Sequence, residues 1–271
     1  MPEYFSIEKT GDGSDTLFSA EFNQPYHNRA GAVEESRYIF FESTGLDKQL
    51  KTKSELSILE IGFGTGMNLI LLLDYLKKTK SPAKVTYYSV EAFPITPRVA
   101  STIRFENDLG SLDYNSILES IFSDLNKGWK RFEISDQVTL KLFKGRFREM
   151  EFGITDEEST TGSGQKILSQ PINFIMHDPF SPESNPDGWT QDLFSKIANV
   201  SAADAMLSTY SAASSARAAM AVAGWKVARA PGALGKREMT VASKHPDRLS
   251  HLKRVNEERL AERYHRGDFQ Q

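Results

Sequence analysis

Apolar and polar positions alternate between two regimes along this chain after an irregular opening. Short branched runs over residues 56–61, 84–91, 138–143, 172–178 and 205–210 have the length and composition of buried strands. Between them, Leu69-Ile70-Leu71-Leu72-Leu73-Asp74-Tyr75-Leu76 and residues 189–200 carry helical spacing, and a further helix over 214–223 is stopped by Gly224. Gly145-Arg146-Phe147-Arg148-Glu149-Met150 leads into a short helix, and residues 225–229 and 238–243 pair as closing strands. The pattern predicts an α/β fold with a seven-stranded, mostly parallel sheet. Residues 156–166 are polar and glycine-containing and read as a mobile loop without a core. The expected division is an N-terminal extension over 1–50 packing on the catalytic domain, that domain over 51–245, and a charged tail over 246–271.

The junction between the first run and its helix holds candidate chemistry. Glu60-Ile61-Gly62-Phe63-Gly64-Thr65-Gly66-Met67-Asn68 sets three alternating glycines in a strand-to-helix turn. Backbone without Cβ atoms approaches a ligand closely, and the helix start offers N–H groups that lack intrahelical partners. A dinucleotide fingerprint puts its third glycine three positions after the second, and a P-loop needs Gly-Lys-Ser/Thr; this turn has neither. Glu60 at the strand end would repel a pyrophosphate, whereas S-adenosylmethionine has no phosphate and carries an ammonium and a sulfonium. A tight structural turn is the plain alternative for the glycines taken alone.

Two further strand ends are acidic. Glu91 closes the second run at about the chain distance where such folds bind ribose hydroxyls, and a carboxylate accepts two hydroxyl hydrogen bonds at once. A solvated terminal glutamate is the alternative. Asp178-Pro179-Phe180-Ser181-Pro182 ends the fourth run, beyond which ligands of open α/β sheets bind. It is similar to the Asp/Asn-Pro-Pro-Tyr/Phe turn of amino-group methyltransferases, departing from it at Ser181. In that turn a carboxylate and a nearby carbonyl accept hydrogen bonds from the substrate amine, and the aromatic forms a wall. A capped loop opening is the alternative for Asp178.

Composition narrows the class. The chain has 271 residues, 39% hydrophobic and 25% charged, enough for one large domain or one domain with an elaborated end. No apolar run approaches the roughly 20 residues needed to cross a bilayer. Met1-Pro2-Glu3-Tyr4 does not open a signal peptide, and the absence of cysteine excludes disulfides and thiolate chemistry, so the cytoplasm is the expected compartment. Five histidines lack metal-ligand spacing, and no metal is expected. With 33 basic against 36 acidic residues the formal charge is −3, so contact with nucleic acid would need a local basic face.

Separated segments together resemble one family, the methyltransferase component of the tRNA 5-methylaminomethyl-2-thiouridine biosynthesis proteins, MnmC. They are Asp12-Gly13-Ser14-Asp15-Thr16-Leu17, Glu35-Ser36-Arg37-Tyr38-Ile39-Phe40, the glycine turn, Glu91-Ala92-Phe93-Pro94-Ile95-Thr96, Asp178 to Pro182, Asn185-Pro186-Asp187-Gly188-Trp189-Thr190, Thr209-Tyr210-Ser211-Ala212-Ala213 and Gly235-Lys236-Arg237-Glu238-Met239. The resemblance spans residues 12–243 and implies a Rossmann-like fold. It also implies methyl transfer from S-adenosylmethionine to the primary amine of 5-aminomethyl(-2-thio)uridine at the tRNA wobble position. Gly62, Gly64 and Gly66 would face the methionine portion, Glu91 the ribose and Asp178 the amine. Glu60, Asn68, Ala92 and Phe93 complete the expected cofactor set, and Tyr26, His27, Pro179, Phe180, Lys236 and Arg237 the substrate set.

Two departures qualify the match. Gly145-Arg146 stands where relatives show Gly-Asp for an adenine contact. The bifunctional relatives also carry a flavin-dependent oxidase, which does not follow Gln271, so the expectation is a stand-alone methyltransferase acting on a base that already bears its free amine. Lys236-Arg237 with Arg229 is the expected tRNA phosphate contact. The tail from Arg248 reads as a solvated helix. A small-molecule amine methyltransferase remains open, as does a non-catalytic binding module. A spermidine-synthase-like aminopropyltransferase is disfavoured because proline follows Asp178 where an acid is needed. Thiolation state, tRNA species and oligomeric state are not specified by these residues.

Overall fold

The computed structural model describes residues 5–105, 109, 112–150, 168 and 170–269. The loop expected over 156–166 lies outside them. The chain opens with a three-stranded antiparallel sheet, β1 (Phe5–Lys9), β2 (Asp15–Ser19) and β3 (Gln24–Pro25). Helix α1 (Ala32–Ser36) runs into a π-helical stretch over Arg37–Glu42, followed by α2 (Leu46–Gln49). The main layer begins with β4 (Glu55–Ile61), α3 (Met67–Thr79), β5 (Lys84–Glu91), α4 (Pro97–Ala100), α5 (Tyr114–Asp124), β6 (Gly128–Glu133) and β7 (Val138–Lys144). It continues with β8 (Ile172–His177), α6 (Gln191–Val200), β9 (Ser201–Thr209), α7 (Ser214–Val222), β10 (Lys226–Ala230), β11 (Met239–Ser243), β12 (Lys253–Arg254) and α8 (Glu257–His265).

The main sheet has nine strands in the order β12-β10-β11-β9-β8-β4-β5-β7-β6, not the seven expected. The expected seven occupy its centre, and β6 and β12 extend the two edges by antiparallel pairing with β7 and β10. Neither edge carries an apolar run: β6 is half-buried to exposed throughout, and β12 is only Lys253 and Arg254. Short or charged edge strands of this kind also discourage pairing with other chains.

The alternation in β4 explains the two faces. Leu56 and Ile58 join one apolar cluster with Leu69 and Leu72 of α3 and Leu118 of α5, while Leu59 and Ile61 join a second with Phe194 of α6 and Met220 of α7. Helices therefore cover both faces, as a parallel sheet buried on two sides requires. The opening segment shares the first cluster through Leu17, Val33, Phe40 and Leu50. Asp12 caps α1, its Oδ2 accepting the N–H groups of Val33 at 2.9 Å and Glu34 at 3.2 Å. Asp15 fixes the segment to the loop after α4 by accepting the Arg104 N–H at 2.7 Å. Among the described residues, no helix is long and apolar enough to cross a membrane.

Candidate active site

The carboxyl ends of β4, β5 and β8 meet at one cavity of about 430 Å³. Gly62 sits there at φ +94°, and a Cβ on it would lie 2.8 Å from the Asp178 carbonyl oxygen and 3.3 Å from Pro179 Cα. Only glycine lets these strand ends approach so closely. The Asp178 N–H donates to Ile61 O at 2.9 Å and the Gly62 N–H to Val90 O at 3.2 Å, which clamps the ends of all three strands. Glu91 braces the same region, with Oε2 accepting the Gly64 N–H at 2.8 Å and Oε1 the Phe93 N–H at 2.7 Å. Burial pushes its carboxyl upward in pKa, against the pull of those backbone bonds.

Of the residues expected at the cofactor, Gly62, Gly64, Glu91, Ala92 and Phe93 line the cavity, whereas Glu60, Gly66 and Asn68 do not. Glu60 is 1% exposed, and its two oxygens accept from Asn68 Nδ2 at 2.9 Å and Ser89 Oγ at 2.8 Å. Burial raises its pKa to about 8, with both hydrogen bonds opposing. Asn68 Nδ2 also lies 3.5 Å from Asp178 Oδ2, so the two residues support the site from behind. Gly66 starts α3 at φ +79°, and a Cβ there would fall 2.5 Å from Leu118 Cδ2, so packing against α5 accounts for it.

Asp178 is half-buried in the cavity wall. Its pKa stands well above the usual carboxylate range, first through burial and then through the charges of Glu60 and Glu35; the Asn68 contact and Lys236 oppose this. The turn that follows is fixed by side chains: Tyr210 O–H donates to Pro179 O at 2.8 Å and Trp189 Nε1 to Phe180 O at 2.8 Å. Those bonds fix the direction of the turn, and the Asp178 carboxyl lines the cavity beside it. Phe180 stacks on Phe22 at 4.4 Å between centroids and meets Tyr26 edge-on at 4.9 Å, while Phe22 meets Phe93 at 5.2 Å. Phe22 was not foreseen, since it lies between polar Glu21 and Asn23 in the loop joining β2 and β3.

Tyr26 and His27 line the cavity as expected. Burial pulls His27 down to about 4, so the ring is neutral, with Nδ1 3.1 Å from Thr16 Oγ1 and Nε2 3.4 Å from Thr65 Oγ1. The basic turn differs from expectation. Lys236 points its Nζ at Glu35 Oε1, 2.7 Å away, and lies 5.7 Å over the Tyr210 ring. Arg229 pairs with Glu238 at 3.3 Å. Arg237 alone of the three is exposed without an ion pair among the described residues, on a shelf beside the cavity shared with Ser211 and Lys236. Tertiary docking supplied acid partners that a string of cations does not reveal. Arg146 does line the cavity, 5.7 Å over the Phe93 ring, and faces Asp187 at 3.8 Å. An acid is thus present at that end, contributed from a different segment than in the family pattern.

The sheet order and the glycine turn facing a strand-end acid define a Rossmann-like, S-adenosylmethionine-dependent methyltransferase. A family described as S-adenosyl-L-methionine-dependent methyltransferase matches residues 114–245. The chain is similar to the methyltransferase component of MnmC. It is 30% identical over 228 residues to the tRNA 5-methylaminomethyl-2-thiouridine biosynthesis bifunctional protein MnmC of Chromobacterium violaceum, covering 82% of this chain and 32% of that protein. The Campylobacter hominis protein of the same name is 29% identical, with 82% and 30% covered. The chain thus spans about a third of the length of these curated relatives. A crystal structure of MnmC2 from Aquifex aeolicus matches with a TM-score of 0.69 and 25% identity, covering 95% of this chain and 80% of that one.

Proposed function

We propose that the chain transfers a methyl group from S-adenosylmethionine to the primary amine of 5-aminomethyl(-2-thio)uridine at the tRNA wobble position, in the cytoplasm. The observation that carries this reading is Asp178, a carboxylate lining the cavity beside Gly62 on a turn held in place through its Pro179 and Phe180 carbonyls. The names of the relatives, which are biosynthetic proteins for tRNA 5-methylaminomethyl-2-thiouridine, support a modified uridine of tRNA as the acceptor.

S-adenosylmethionine supplies an electrophilic methyl group on a sulfonium. Gly62 and Gly64 would let backbone lie against its methionine portion, and each Glu91 oxygen keeps acceptor capacity, beyond the N–H it already binds, that a ribose hydroxyl could use. Phe22, Tyr26 and Phe180 offer flat walls for a planar base. Asp178 accepts a hydrogen bond from the amine and so aims its lone pair; positioning of this kind is worth roughly 7–11 kcal/mol in favourable cases. The amine must be neutral to attack, and a carboxylate charge favours ammonium. Orientation therefore ranks ahead of base catalysis, with Asp178 taking the proton during or after transfer. Arg237 on the adjoining shelf is the available phosphate contact.

The test is methyl transfer from labelled S-adenosylmethionine to tRNA bearing aminomethyluridine, with unmodified tRNA and free polyamines in parallel and nucleoside analysis afterwards. Label confined to methylaminomethyluridine is the expected result. Label on a small amine would overturn the substrate while keeping the fold and cofactor.

A further inference from the structure

The acceptor end of the cavity holds more acid than one amine requires. Glu35, on α1, lines it together with Asp178, and is 8% exposed. Its Oε1 accepts from Asn28 Nδ2 at 3.0 Å and from Lys236 Nζ at 2.7 Å. That lysine is seated by the opening segment as much as by the sheet. Tyr38 O–H donates to Pro231 O at 3.1 Å, and Leu234 Cδ1 lies 3.1 Å from where a Cβ on Gly31 would stand. Gly232 folds back so tightly that a Cβ there would meet Lys236 O at 2.5 Å. The ammonium ends 5.7 Å over the ring of Tyr210, whose hydroxyl holds the Pro179 carbonyl next to Asp178. Asp178 responds to both charges, raised in pKa by Glu35 and lowered by Lys236.

We propose that Lys236 is a specificity residue: seated on Glu35, it fills the place of a second ammonium, so that Asp178 receives a single amine and diamines and polyamines are turned away. Two carboxylates in one cavity would otherwise suit a dication. A fixed ammonium neutralises one of them and repels a second cation, and like charges brought together without a counterion are disfavoured. Rejection of the wrong ligand is built in by a repulsive group rather than by better contacts to the right one. Lys236 remains 43% exposed at its side chain, so its own charge stays hydrated while it serves. The acceptor class is then a monoamine on a flat, uncharged body, in keeping with the aromatic wall of Phe22 and Phe180.

This rests on Asp178 as the acceptor site but not on tRNA as the acceptor. The experiment is calorimetric titration of the full chain, saturated with S-adenosylhomocysteine, using spermidine as probe and butylamine as the single-amine control. Lys236→Met is expected to bind spermidine about tenfold more tightly than the wild type, with a clearly smaller gain for butylamine, which has no second ammonium to place against Glu35. Adding Glu35→Gln removes the gain, and Lys236→Arg behaves as the wild type. Should Lys236→Met fail to fold, Lys236→Gln carries the same expectation, because its amide still donates to Glu35. The proposal is overturned if a folded Lys236 variant that binds S-adenosylhomocysteine shows no gain, or if the gain survives Glu35→Gln. Failure of the tRNA assay would leave this titration readable, and the reverse also holds.

Discussion

Glu91 and Gly64 are joined across two strand ends: the carboxylate Oε2 of the first accepts the backbone N–H of the second at 2.8 Å. The same carboxylate holds Phe93 N–H, so one side chain fixes the loop after its own strand and the glycine turn after the neighbouring strand. Glu91→Ala leaves both N–H groups without that partner, at about 1–3 kcal/mol for each that stays buried. Thermal unfolding should show the loss, and S-adenosylhomocysteine affinity should fall by about tenfold or more, since roughly 1.4 kcal/mol corresponds to each factor of ten. An unchanged dissociation constant would count against Glu91 as a cofactor residue.

Gly62→Ala tests the close approach of β4 to the Asp178 turn. The added Cβ would sit 2.8 Å from a backbone oxygen, and the position is held at φ +94°, outside the range comfortable for alanine. Backbone must shift, at a cost on the order of 1–3 kcal/mol. The urea midpoint should drop and methyl transfer should fall further than stability alone explains, because the displaced residue is Asp178. Full turnover in the variant would show that the spacing is not critical.

The pH dependence of stability follows from Glu60. Its carboxyl titrates near 8 in the folded protein against 4.5 for the ordinary group, so the folded form keeps a proton that the unfolded chain releases in between. Stability from this group is intact below about 4.5, drains as pH rises toward 8 by at most about 1.4 kcal/mol per unit, and falls no further above that. Glu60→Gln keeps the bond from Asn68 and can donate to Ser89 Oγ, so it mimics the protonated acid. Its urea midpoint should match the wild type near pH 4.5 and exceed it at pH 8. Parallel slopes in the two proteins would remove Glu60 as the cause.

Salt dependence separates the cations of β10 and the loop that follows it. Arg237 lacks an acid partner among the described residues, while Lys236 and Arg229 are paired with Glu35 and Glu238. Arg237→Ala should weaken tRNA binding and reduce the magnitude of the slope of log K against log salt by roughly 0.7–1. Arg229→Ala should change it less. Filter binding across a salt series would reveal equal effects if the pairing did not matter.

The central strands and the Gly62, Glu91 and Asp178 positions were legible because they are local: a period of two, a glycine spacing and an acid at a run's end each sit within a few residues. Glu35 and Phe22 were not placed at the site by such signals. Glu35 meets Lys236 across 201 positions, and no window along the chain contains both. Lys236 read as a tRNA phosphate contact for the same reason, since its acid partner is chosen by the docking of the β10–β11 loop on the opening segment. Glu60 shows the opposite error. An acid at a strand end suggests a ligand, but Asn68 and Ser89 satisfy it inside the fold.

Chain order gives the cavity a history during translation. By the time residue 146 has left the ribosome, the glycine turn, Glu91, Phe93 and Glu35 have all been made, yet Asp178, Tyr210 and Lys236 have not. Domains generally fold as units, and β4 at the centre of the sheet pairs with the later β8, so the cavity is completed only once that strand has emerged. Synthesis therefore supplies the glycine turn, Glu91 and one of the two cavity acids, Glu35, first, and Asp178 and then Lys236 only later. A polypeptide released early lacks both Asp178 and Lys236, and leaves Glu35 without its lysine partner.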